Sequence, residues 1–207
     1  MRVGVLVSGR GTNLGALIAA RDAGTLAPAE LAVVVANVPD AGALARADAA
    51  GIARTVVDHR GLSREDFETK LVDVLAAHEV EAVVLAGFMR MLTTHFLGHF
   101  PHRIVNTHPS LLPAFPGKDA PAQAIAHGVK TSGVTIHFVD ASLDGGPIIA
   151  QAAVPVLADD DAASLHVRIQ REEHRLLPEC VRALAAGELT CKGRVVTASP
   201  SGAKRAE

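Results

Sequence analysis

Asn106, His108 and Asp144 are the residues of this chain whose types and spacing suit joint chemistry. Asn106 and His108 stand two apart in Asn106-Thr107-His108-Pro109-Ser110-Leu111-Leu112-Pro113, which follows an apolar run. Asp144 comes about one crossover later, in Asp140-Ala141-Ser142-Leu143-Asp144-Gly145-Gly146. On an extended backbone the side chains of Asn106 and His108 share a face. An amide donor, an imidazole that carries protons and a carboxylate that partners it are the parts used in acyl transfer to an amine, where an oxyanion develops and a proton must move. A lone histidine is more often a hydrogen-bonded structural residue, and a carboxylate before Gly145-Gly146-Pro147 is commonly a turn former. Three groups able to converge beyond strand ends favour the catalytic reading.

Other segments carry weaker signals. Ser8-Gly9-Arg10-Gly11-Thr12-Asn13-Leu14 stands between an expected strand and helix, where backbone N–H groups and the helix dipole favour an anion. Gly9 and Gly11 permit close backbone approach, and Thr12 or Asn13 can cap the helix and touch a phosphate. The same loop is equally consistent with a plain strand-to-helix turn. A Gly-Lys-Ser/Thr sequence and a third glycine in register are both missing, and Val35-Ala36-Asn37 lacks the acid that holds an adenosine ribose, so dinucleotide binding is disfavoured. Gly87-Phe88-Met89-Arg90-Met91-Leu92 suits a flat heterocycle at a sheet edge, although such a segment alone more often lines a core. Glu173, within Gln170 to His174, could bind an amine or hydroxyl, although solvated helical carboxylates are commoner. His95, His99 and His102 have no acidic companion and lie among Phe96, Leu97 and Phe100, so no metal is assigned. Cys180 and Cys191 lack metal-ligand spacing and read as free thiols.

These residues need a scaffold that brings strand ends together. Val3 to Val7, Leu31 to Ala36, Arg54 to Val57, Ala82 to Ala86 and Arg103 to Val105 read as strands. Asn13 to Ala23, Ala41 to Ala50 and Ser63 to His78 carry helical apolar spacing, with Ser63 and Asp66 forming a capped start. The alternation predicts an α/β fold: a mostly parallel central sheet with right-handed helical crossovers on both faces. Gly133 to Asp140 and Pro147 to Val156 alternate more strictly and predict a mixed or antiparallel C-terminal part. A final helix is expected from about Ala162 to Ala186, interrupted or bent near Pro178.

The 207 residues are 49% hydrophobic, enough for one sizeable core. A single domain over 1–193 is expected, with 194–207 as an extension that is largely a disordered tail, small, polar and charged from Ala198 to Glu207. A net charge of −2 with scattered Lys and Arg leaves no electrostatic footprint for nucleic acid. The apolar run after Met1 is too short for a signal or membrane segment, and a cytoplasmic protein is expected, monomeric or homodimeric.

Five segments in register, SGRGTNL from Ser8, LAGFMRML from Leu85, NTHPSLLPAFPG from Asn106, HFVDASLDGGPIIAQ from His137 and QREEH from Gln170, resemble the folate-dependent phosphoribosylglycinamide formyltransferases. The resemblance runs from Val3 to about Leu189. It implies a Rossmann-like formyltransferase fold and, as substrates, glycinamide ribonucleotide and 10-formyltetrahydrofolate, with no metal and no covalent enzyme intermediate. Gly11, Thr12 and Asn13 would hold the ribonucleotide phosphate, and Gln170, Arg171, Glu172 and Glu173 would face the ribonucleotide. Arg64, Met89, Arg90, Met91, Leu92, Asn106, Asp140, Ala141, Ser142, Leu143 and Asp144 would contact the folate. His108 would be the proton carrier, Asp144 its partner and Asn106 an oxyanion donor. One departure is local: many family members carry a His two residues after Phe115-Pro116-Gly117, where this chain reads Lys118-Asp119-Ala120-Pro121. That loop is expected to be mobile and to close over substrate. Methionyl-tRNA formyltransferases and formyltetrahydrofolate hydrolases share the Asn, His and Asp chemistry. The first usually adds a C-terminal domain and the second an N-terminal one, and this chain is expected to have room for neither. A nucleotide-binding regulatory module is the reading from another class, and it would not need the three groups together.

Overall fold

A computed structural model of the chain describes residues 1–199. Five strands, β1 (Arg2–Val7), β2 (Glu30–Ala36), β3 (Arg54–Val56), β4 (Ala82–Leu85) and β5 (Ile104–His108), pair in parallel. Four further strands, β6 (Thr131–Phe138), β7 (Ile148–Pro155), β8 (Leu189–Lys192) and β9 (Val195–Ala198), complete one sheet in the order β3-β2-β1-β4-β5-β6-β7-β9-β8. β6 is antiparallel to both β5 and β7. The α/β expectation, mostly parallel with a mixed C-terminal part, therefore holds.

Helices α1 (Thr12–Asp22), α2 (Gly42–Ala49), α3 (Arg64–Ala77), α4 (Thr94–His99), α5 (Ala120–His127) and α6 (Ala162–Ala185) cover the sheet. Strand alternation divides the core. Val3, Val5 and Val7 pack with Leu14, Leu165, Ile169 and Leu177 on one face, while Leu6 packs with Phe67, Leu71, Phe96 and Ile104 on the other. Phe67 and Phe96 are almost wholly buried, each burial contributing about 2–3 kcal/mol. At Gly4 a Cβ would lie 2.6 Å from Leu75 Cδ2, so the absence of a side chain is what lets α3 approach β1.

Four expectations need correction. α6 is not interrupted at Pro178, because its buried face, Leu165 to Ala183, holds the helix on despite the missing N–H. β5 continues to His108 rather than stopping at Val105, since pairing with β6 carries it three residues further. α5 and the β8–β9 hairpin were not anticipated, and the hairpin makes Val195–Ala198 a strand where a tail was expected. The remainder of that tail, 200–207, lies outside the described residues. Finally, α1 is entered through Gly11 in the left-handed region (φ 72°), with no side-chain cap from Thr12 or Asn13.

Among the described residues no helix is long and apolar enough to cross a membrane. Cys180 and Cys191 are free, and burial pushes the Cys180 thiol up to about 12.

Candidate active site

The sheet order reverses at β1 and β4, whose loops lead to opposite sides, and the crevice between their carboxyl ends is the usual binding position in such sheets. Here the two loops are tied together. Ser8 N–H donates to the Gly87 carbonyl at 3.1 Å, and Met89 N–H donates to Ser8 Oγ at 2.9 Å. At the other end of the β4 loop, the fully buried Glu68 of α3 accepts from Thr93 N–H at 2.8 Å and from the Thr93 hydroxyl. Side chains from two elements thus fix both ends of the segment carrying Met89, Arg90, Met91 and Leu92.

Asn106 and His108 lie two apart on β5 and so present to one face. His108 is 5% exposed, and both its ring nitrogens meet acceptors: Nε2 is 2.8 Å from the Phe115 carbonyl, and Nδ1 is 3.4 Å from Asp144 Oδ2. Imidazolium, with an N–H on each nitrogen, satisfies both contacts. Asp144 Oδ2 also accepts from Gly117 N–H at 2.7 Å. Asp144 adopts a positive φ of 49°, in the left-handed region that Asp, like Asn, tolerates better than most side chains. Phe115 and Gly117, which lead into the loop at Lys118-Asp119, are bonded to His108 and Asp144 by these two contacts. Gln123 Nε2 holds the far end of this stretch through the Lys118 carbonyl at 2.8 Å. Its near end is pinned by Thr135, whose hydroxyl donates to the Ser110 carbonyl at 2.7 Å and accepts from Leu112 N–H at 3.0 Å.

The loop after β1 meets α6. Gln170 Nε2 donates to Thr12 Oγ1 at 2.9 Å, and Asn13 Nδ2 donates to Glu173 Oε2 at 3.3 Å. Gly11 is forced by space as well as by φ, for a Cβ there would sit 2.6 Å from Ala43 Cβ. Arg171 and Glu172, expected beside them, are carried away by the helical turn: Arg171 is exposed and Glu172 pairs with Arg175 at 2.9 Å. Glu173 is 4% exposed, not a solvated carboxylate. Burial raises its carboxyl above the ordinary range, a shift the Asn13 hydrogen bond partly offsets.

That shift has a stability consequence. A carboxyl whose folded-state pKa lies above its unfolded value of 4.5 contributes fully below that value, and the contribution is lost as pH rises through the folded pKa. Glu173→Gln is therefore expected to gain in Tm relative to the native chain as pH is raised from about 4.5 to about 8. Thermal scans across that range check it, and a difference in Tm that does not change with pH would show that ionisation of Glu173 does not oppose folding.

On the far side of the crevice large apolar groups are left in water: Met89 is 67% exposed, Met91 54% and Leu143 54%. The Arg90 guanidinium lies over the Phe67 ring at 5.0 Å, and Arg64, one turn before Phe67 on α3, is exposed. Asp140 is engaged within its own loop, accepting from Ser142 N–H at 2.9 Å and from the Ser142 hydroxyl, while Ala141 and Ser142 are exposed.

His137 was missed by sequence reasoning. It is paired with Asn106 in the β5–β6 register, 2% exposed, with Nε2 3.1 Å from Asn106 Nδ2 and 3.9 Å from Asp144 Oδ1. The alternation over Gly133 to Asp140 put Thr135 and His137 on one face, but only the antiparallel register sets that face against Asn106 and His108. Among the described residues no group of three or more His, Cys, Asp or Glu side chains is arranged to hold a metal ion.

The formyl transferase family model matches residues 1–181. The chain is 51% identical to the phosphoribosylglycinamide formyltransferase of Mycobacterium tuberculosis over 63% of its own length and 61% of that relative's. It is 40% identical to the Escherichia coli enzyme of the same name, over 91% of this chain and 89% of that one. In structure it is similar to glycinamide ribonucleotide transformylase 1 from Symbiobacterium toebii, with a TM-score of 0.93 and 48% identity, over 96% of this chain and 93% of that one.

Proposed function

The chain belongs to the formyl transferase family, and from that premise we propose that it transfers the formyl group of 10-formyltetrahydrofolate to the glycinamide amine of 5-phosphoribosylglycinamide. The products are the formylated ribonucleotide and tetrahydrofolate, a step of purine biosynthesis. The observation that carries the reading is the convergence of Asn106, His108 and Asp144 between two unlike surfaces. One is the polar joint of Gly11, Thr12 and Asn13 with Gln170 and Glu173. The other is the apolar rim of Met89, Met91 and Leu143.

The folate supplies a formyl carbon at the acyl level. Its flat apolar ring suits the rim with Leu92 and the loop from Asp140 to Asp144, and its glutamyl carboxylates suit Arg64 and Arg90. The uncapped start of α1 suits the acceptor's phosphate. The attacking nitrogen forms a bond to the formyl carbon as the bond to N10 breaks. Asn106 N–H and the cationic His108 meet the negative charge that develops on oxygen. The proton shed by the amine passes to N10 through His108 or a water held by Asp144. Holding both substrates in one crevice turns a two-body encounter into a local reaction.

A spectrophotometric assay with 10-formyltetrahydrofolate, run with and without the ribonucleotide, tests the proposal. Deformylation only with ribonucleotide, and recovery of the formylated product, is the expected result. Release without acceptor would identify a hydrolase, and no turnover a binding module.

Asn13 gives a finer test. Its Nδ2 donates to Glu173 and so ties the uncapped start of α1, whose backbone N–H groups are the donors suited to the phosphate, to α6. Asn13→Ala is expected to raise KM for the ribonucleotide by about tenfold, with kcat little changed. Equal weakening toward an unphosphorylated acceptor analogue would detach Asn13 from the phosphate.

A further inference from the structure

The buried imidazole of His137 has a tautomer fixed by its surroundings. Its Nδ1 lies 2.8 Å from the Phe138 carbonyl, which only accepts, so Nδ1 carries the proton. In the neutral ring Nε2 is then a lone pair. The atom facing it at 3.1 Å is Asn106 Nδ2, a donor, so an amide turned the other way would set oxygen against a lone pair. Asp144 Oδ1, at 3.9 Å from the same nitrogen, makes no hydrogen bond to it.

We infer that His137 is a positioning residue that, as its Nδ1–H tautomer, locks the Asn106 amide with its NH2 group toward the reaction centre. The inference rests on the acyl-transfer reading of the site. One N–H of Asn106 is held by His137, and the second stays free for the oxygen on which charge develops. The groups facing His137 are Asp144 and Asp140 from the loop after β6, which favour the cation, and His108 from β5, which opposes it. Burial outweighs them and lowers its pKa, keeping the ring neutral. Were Nε2 protonated it would present an N–H to Asn106, the amide would turn its oxygen to accept it, and the side chain would lose the orientation that serves as an oxyanion donor.

The full-length protein tests this in two ways. With 15N-histidine labelling at neutral pH, His137 is expected to show a protonated Nδ1 and an unprotonated Nε2. An imidazolium or the Nε2–H tautomer would overturn the inference whether or not any variant folds. In kinetics, His137→Phe is expected to lower kcat by about tenfold to a hundredfold, with KM for both substrates within about twofold. His137→Gln, which keeps an acceptor oxygen, should recover part of the loss. In an Asn106→Ala background His137→Phe should cost nothing further, and a loss of the same size in both backgrounds would also overturn the inference. Absence of transfer by the native chain would sink the assigned reaction but leave the tautomer measurement to stand or fall alone.

Discussion

His108→Ala is expected to lower kcat for formyl transfer by roughly two to four orders of magnitude while ribonucleotide affinity stays close to native. The ring is the group at the centre that can both give and take a proton. It is already held at both nitrogens, by the Phe115 carbonyl and by Asp144. On the proposed reading its removal takes away the proton carrier, whereas the Asn13–Glu173 and Thr12–Gln170 contacts proposed for the acceptor side lie on other elements. The Phe115 to Gly117 loop keeps its second tether to Asp144, so the variant should fold. Single-turnover rates with formylated product recovered, together with calorimetric titration of the ribonucleotide, check both halves. Near-native turnover would remove His108 from the chemistry.

The contrast between what the sequence revealed and what it hid follows from the range of the interactions concerned. Parallel strands buried on both faces advertise themselves as continuous apolar runs, so β1, β2 and β4 were legible within a residue or two. The Ser63 cap of α3 was legible because a cap is a local bond, here Asp66 N–H to Ser63 Oγ at 3.0 Å. Asn106, His108 and Asp144 could be singled out by residue type, but their meeting depends on a loop that returns across β6. His137 depends on a strand register, and Glu173 depends on α6 lying over α1. The helical repeat also decides within QREEH: Gln170 and Glu173, three apart, reach the crevice, and Arg171 and Glu172 between them do not.

The same dependence on long-range packing makes Gly146 the most sensitive backbone position of the site. A Cβ there would fall 1.8 Å from the Phe138 carbonyl oxygen and 2.8 Å from its carbon, with Asp140 N at 3.4 Å. All three are backbone atoms, so no side chain can swing aside. Phe138 is fixed in turn by its N–H bond to the Pro147 carbonyl at 2.9 Å. The strain must pass into the turn that holds Asp144 at its positive φ. Gly146→Ala is therefore expected to cost about 1–3 kcal/mol in stability, read by chemical denaturation. It should lower kcat by about a hundredfold, the usual penalty for displacing a reacting group by roughly 1 Å. Gly145 supplies the comparison. Its added Cβ would meet chiefly the Ser142 side chain, Oγ at 2.2 Å and Cβ at 2.9 Å, so a second change, Ser142→Gly, should relieve Gly145→Ala. The same second change should leave Gly146→Ala unrepaired, since its clash is with β6 itself. Equal rescue of both variants would mean that the turn tolerates a side chain at 146 and that Asp144 is placed by something other than the close approach of this loop to Phe138.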